Sequence, residues 1–102
     1  SFSAVAVGRA QVQQEPSAEA TEGTGINITC SHPKIKTNEY IYWYRRLPGR
    51  GLPFITSAIK GSKEVQDPPV TLLVAEDHLS SVLHFARPRW GDAAVYYCAV
   101  GD

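Results

Sequence analysis

Asp77, Ser80, Ser81 and His84 fall in one short stretch, and carboxylate, hydroxyl and imidazole are the groups of nucleophilic acyl transfer. That chemistry also needs an oxyanion donor set and a scaffold that aims the nucleophile, and nothing in the sequence supplies either. Leu83 and Phe85 are the neighbours that face a core, which leaves His84 pointing outward. His32, beside Pro33, and His78, in an Asp-His turn, add no ligand set. Cys30 and Cys98 are separated by most of the chain, so they cannot make the short C-x-x-C spacing of a redox or zinc site. No catalytic residue, cofactor or metal is therefore expected. Asn27-Ile28-Thr29 is a glycosylation sequon; strand alternation turns Asn27 outward, and the motif permits but does not compel a glycan there.

The natural reading of two such distant cysteines is one staple, worth about 4 kcal/mol in loop entropy. It implies an oxidising compartment: secreted, or the outer side of a cell. The balance of the chain agrees with a partner that is neither nucleic acid nor membrane. Ten Lys and Arg against ten Asp and Glu give no net charge, where a nucleic-acid binder would carry a basic excess. No apolar run reaches the roughly 20 residues that span a bilayer, so no direct membrane insertion is expected. At 102 residues, with 43% hydrophobic and 20% charged, one folded domain is the ceiling.

These residues must be positioned by strands. From Gln11 onward short β-rich runs alternate with turn clusters, and no segment holds a helical apolar period. The runs are Gln11 to Gln14, Gly25 to Ser31, Tyr40 to Arg46, Phe54 to Ala58, Val70 to Ala75, Ser80 to Ala86 and Ala94 to Ala99. Lys60-Gly61-Ser62-Lys63 reads as a loop tip, and Arg87 to Asp92 as a corner. Ser1 to Ala10 is apolar and rich in small residues, either the tail of a secretory leader or a flexible extension, and is left out of the fold. Many short strands at regular spacing give an all-β antiparallel sandwich or barrel.

Cys30, Trp43 and the run Asp92-Ala93-Ala94-Val95-Tyr96-Tyr97-Cys98 resemble a V-type immunoglobulin domain over residues 11–102. Trp43-Tyr44-Arg45-Arg46, Leu47-Pro48-Gly49 and Tyr97-Cys98-Ala99-Val100 are most similar to a T-cell receptor alpha-chain variable domain. Delta chains and antibody light chains share most of that pattern. The resemblance implies a Greek-key immunoglobulin sandwich. In it the Cys30–Cys98 bridge ties two sheets, Trp43 packs on the bridge, and the Tyr96 hydroxyl bonds to backbone near Arg89 and Trp90. It also implies an antigen-recognition module that pairs with a second variable domain, a receptor beta chain or its equivalent. The pair would present loops to a peptide held by a major histocompatibility molecule, on the extracellular side of a cell surface.

Three departures bear on that expectation. The family closes its sheet with a joining-segment strand marked Phe-Gly-x-Gly. This sequence stops at Gly101-Asp102, so it reads as a germline V segment whose final strand is absent, with an open edge at the Ala94 strand and marginal stability. The family usually places Gln where Arg46 stands; guanidinium has no acceptor, so a reciprocal amide pair with the partner is closed to it. Thr71 stands about where the family has an Arg that pairs with the residue equivalent to Asp92. Arg45, on the Trp43 side of its strand, is expected to supply the cation, with Arg45→Ala costing about as much as Asp92→Ala.

The outward pattern separates two faces. With Trp43 and Cys98 inward, Tyr42, Tyr44, Arg46, Val95 and Tyr97 face out on one sheet, too apolar for open water, with Leu52 and Phe54 extending the patch. The strand bearing Cys30 shows solvent only Asn27 and Thr29. Tyrosine suits a protein interface, having a large apolar body and one polar tip. The antigen-facing loops are expected at Lys34, Ile35, Lys36, Thr37, Asn38 and Glu39, at Ile59, Lys60, Gly61, Ser62 and Lys63, and in whatever follows Cys98. Their lysines would either favour an acidic ligand or only confer solubility. A free-standing V-type adhesion or co-receptor domain is the alternative, with self-association or a flat partner as its signature.

Overall fold

The computed structural model describes residues 2–7, 13–14, 18–20, 24–47 and 49–101. Its strands are β1 (Phe2–Val7), β2 (Gln13–Gln14), β3 (Ala18–Ala20), β4 (Ile26–Ser31), β5 (Tyr40–Arg46), β6 (Phe54–Ala58), β7 (Ser62–Val65), β8 (Val70–Val74), β9 (Ser80–Phe85) and β10 (Ala94–Gly101). One 3-10 turn, Trp90–Asp92, precedes β10. The strands form two five-stranded sheets, ordered β3-β1-β10-β5-β6 and β2-β4-β9-β8-β7.

Period-two alternation decides which side chains meet between the layers. In β4, Ile26, Ile28 and Cys30 point inward; in β9, Ser81, Leu83 and Phe85 do. Ile41 and Trp43 of β5, Ile55 and Ala58 of β6, Val70 and Leu72 of β8, and Tyr96 and Cys98 of β10 join them in the core. Cys30 and Cys98 are bonded across the layers, with their Cα atoms 6.4 Å apart. Trp43 stands directly opposite Cys98 in the β5–β10 ladder, so the indole and the bridge share the centre of the sandwich.

Several elements differ from the sequence expectation. Phe2–Val7, left out of the fold as leader or extension, forms β1 and lies between β3 and β10. It runs parallel to β10, Ala4 opposite Ala94 through Val7 opposite Tyr97. The edge expected to stand open at Ala94 is therefore covered over those residues, because an apolar β-prone run meets a row of available N–H and C=O groups. Gln11 and the residue after it lie outside the described residues, as do Gly8, Arg9, Ala10 and Pro48. Ser62 and Lys63, read as loop tip, open edge strand β7, whose Ser62–Val65 pairs with Val70–Leu73. That strand is polar and held by backbone bonds, so it carries no apolar alternation to read. The β6–β7 turn needs a left-handed residue, which Gly61 supplies at φ 74°.

Candidate functional site

The ladder between β5 and β10 sets the outward face of the first sheet. Tyr97 lies opposite Tyr44, Val95 opposite Arg46, and the residue after Cys98 opposite Tyr42. The Tyr44 ring meets Phe54 of β6 edge-on, centroids 5.8 Å apart. The Arg46 guanidinium sits 5.7 Å from the Tyr97 ring centre, a cation–π contact that keeps the arginine on the same patch. Phe54 is 56% exposed and Leu52 48%, although Leu52 lies in the turn before β6 and not on a strand. Tyr42, Tyr44, Val95 and Tyr97 are half-buried. An aromatic row thus runs from β10 through β5 to the start of β6.

The opposite sheet has a different exterior. Asn27 pairs with His84, His84 with Thr71, and Thr71 with Glu64, a polar row across β4, β9, β8 and β7. His84 donates from Nδ1 to the Asn27 Oδ1, at 2.5 Å.

Register also gathers the loops. Tyr40 is opposite Gly101 and Ile41 opposite Ala58, so residues 34–39, residues 59–61 and the last residue of β10 lie at one end. Not every expected loop residue is presented there. Ile35 packs on the core, because an apolar side chain at the mouth of the sandwich is better buried. Glu39 turns back, its Oε1 accepting the Lys36 backbone N–H at 2.8 Å. Ile59 is half-buried. Lys63 donates Nζ to the Ser57 carbonyl at 3.1 Å, which ties its charge to the hairpin. Lys34, Lys36, Thr37, Asn38, Lys60 and Gly61 remain exposed.

At the other end the turn before β10 is locked by Asp92. One carboxylate oxygen accepts the Arg89 N–H at 3.0 Å, and the other lies 4.0 Å from the Arg45 guanidinium. Arg45 is the cation beside Asp92, as its position on β5 suggested. Asp92 carries a backbone bond in addition, so its loss is expected to cost more than loss of Arg45, where the sequence alone suggested similar costs. Tyr96 is fully buried, edge-on to Phe85, and donates its hydroxyl to the Asp92 carbonyl, in the turn that starts at Arg89 and Trp90. Burial, opposed by the neighbouring Arg45, pushes the Tyr96 phenol up to about 12.

Ser81 and His84, the hydroxyl and imidazole singled out in the sequence, each have another partner. Ser81 is paired with His32, Nε2 to Oγ 3.2 Å, and both are buried where no substrate reaches. Sequence reading missed His32, yet the inward series Ile26, Ile28, Cys30 continued by two residues points to it. Its Nδ1 has no partner, and desolvation holds its pKa below the ordinary value of 6.5. Among the described residues no cluster of His, Cys, Asp and Glu is placed to hold a metal, and no helix is long and apolar enough to cross a membrane.

A bridged sandwich with this Trp, this tyrosine corner and these two neighbouring loops is matched by the family model for the immunoglobulin V-set domain over residues 13–102. The chain belongs to the immunoglobulin V-set family. Within it, human T cell receptor alpha variable 26-1 is 35% identical over 91 residues, covering 89% of this chain and 82% of that protein. Human T cell receptor alpha variable 2 is 35% identical over 96 residues, covering 94% and 80%. A crystal structure of a chicken TCR superposes with a TM-score of 0.82 at 68% identity, covering 89% of this chain and 46% of that one. The V-set chain thus spans about half the length of that solved receptor chain. It is a variable domain of the T-cell receptor alpha kind.

Proposed function

We propose that this variable domain supplies half of a two-chain antigen-binding head. The β10-β5-β6 face of the first sheet docks a second variable domain, a receptor beta chain or its equivalent. The loop end meets a peptide held by a major histocompatibility molecule. The domain acts on the extracellular side of the cell surface, and its work is binding without catalysis. Residues 13–102 carry this role, with the segment before them outside the V-set match.

What carries the reading is the aromatic row of Tyr97, Tyr44 and Phe54 on one sheet against the polar row on the other. An interface core favours Tyr and Phe, which bury large area at small entropic cost, and Arg is at home beside them. Arg46 stands in that row as a donor, so the partner must offer it a carboxylate or carbonyl. The absence of catalysis is supported by the burial of Ser81 with His32 and by the engagement of His84 with Asn27. At the loop end Lys34, Lys36 and Lys60 raise the encounter rate with acidic ligand surfaces more than the affinity.

Tyr44→Asp tests the assignment. A charge in the middle of the row should abolish most heterodimer recovered on co-expression with a beta-type variable chain, while the melting of the separate chain changes little. Undiminished heterodimer would move the interface elsewhere.

A further inference from the structure

We propose that Asn27 carries an N-linked glycan whose first sugar lies along the polar row of the second sheet, over His84 and Thr71. The proposal rests on the extracellular reading above, because the sugar donor is met only on the secretory route.

Asn27 is exposed on β4, and Thr29, the sequon hydroxyl, lies on the same outward face two residues on. Directly across the ladder His84 donates to the Asn27 amide oxygen. An amide oxygen can only accept, so the histidine proton is on Nδ1. That hydrogen bond takes the oxygen and not the nitrogen. In glycan transfer a lipid-diphosphate-linked oligosaccharide is the co-reactant. A bond forms between Asn27 Nδ2 and the sugar C1, Nδ2 loses one proton, and the C1–O bond breaks as the lipid diphosphate leaves. The product is still an amide with its carbonyl oxygen, so His84 can keep its bond and orient the linkage. Transfer to the unfolded chain removes the obstacle that a mid-strand position would otherwise present.

The surface beyond the linkage suits a sugar. His84 is also on the rim of an open groove whose lining includes Glu64, Gln66, Thr71 and Ala86, a mix of hydrogen-bonding groups and small apolar patches. Among the described residues no Phe, Tyr or Trp lines that groove, in contrast to the sheet assigned to the partner domain. A glycan here would mark the face turned away from the heterodimer and would keep that sheet from packing against other proteins.

The full receptor chain is expressed in glycosylating animal cells and recovered from whole-cell lysate. It is then treated with peptide N-glycosidase in heavy-oxygen water and mapped by mass spectrometry. Labelled aspartate at position 27 is expected in the native chain and in Thr29→Ser, and none in Thr29→Ala; Asn27→Gln should lose the gel shift. Unmodified Asn27 in molecules that hold the Cys30–Cys98 bridge overturns the glycan and leaves the receptor reading standing. Unmodified Asn27 with both cysteines reduced overturns both. For the seat of the sugar, deglycosylation of the folded chain should run several-fold faster in His84→Ala, and equal rates would refute it.

Discussion

Replacing Tyr96 by phenylalanine removes one oxygen atom from the centre of the fold and leaves the ring against Phe85. The hydroxyl donates to the Asp92 carbonyl across the turn that launches β10, and the residue is fully buried. Without it the carbonyl loses its partner in a place that water does not reach, which costs about 1–3 kcal/mol. For a domain of this size that lowers the melting temperature by about 4–8 °C per kcal/mol. The same hydroxyl also sets an alkaline limit. Its pKa is raised from 10.0 in the unfolded chain to about 12 in the fold. The sign follows: the fold favours the neutral phenol, so its contribution is complete below pH 10 and fades as pH rises toward 12. The total linked to two pH units is about 3 kcal/mol. Guanidinium unfolding of native chain and Tyr96→Phe, from pH 7 to 11.5, separates the two statements. The variant should be less stable at pH 7, and the gap should shrink once pH passes 10, since the phenylalanine ring has no proton to lose. A gap below about 0.5 kcal/mol at neutral pH, or one that stays constant up to pH 11.5, would refute the account of the corner.

At the same corner, Arg45→Ala should cost about 1–2 kcal/mol and Asp92→Ala more, since Asp92 also holds the Arg89 N–H; the double variant should fall short of the sum by on the order of 1 kcal/mol. Strict additivity in chemical denaturation would show that the 4.0 Å pair does not couple. His32 sets the acid limit: its folded pKa lies below 6.5, so stability is full above that pH and declines as pH falls through the unfolded value toward the folded one. His32→Gln should flatten the acid slope of the melting temperature, and an unchanged slope would assign it to another group.

The residues that do not depend on long-range pairing were legible in the chain itself. Alternation in Ile26-Asn27-Ile28-Thr29-Cys30 and Tyr42-Trp43-Tyr44 divides core from exterior because a strand has period two wherever it lies. The spacing of Cys30, Trp43, Tyr96 and Cys98 names the family because bridge, indole and corner must meet at one depth between the sheets. The cation for Asp92 followed from the same alternation.

What pairing decides was not legible. Ser62–Val65 becomes a strand because Val70–Leu73 lends it backbone partners, although its side chains are mostly polar and exposed. Phe2–Val7 is apolar and β-prone, but its entry into the sheet also needs the backbone groups of β10, which its own residues do not reveal. Which loop side chains stay free is settled by what lies nearby: a core for Ile35, a carbonyl for Lys63, a backbone N–H for Glu39. Composition and period are local and survive in the one-dimensional chain. Edges, acceptors and grooves exist only after distant segments are brought into register, and so only the folded structure determines them.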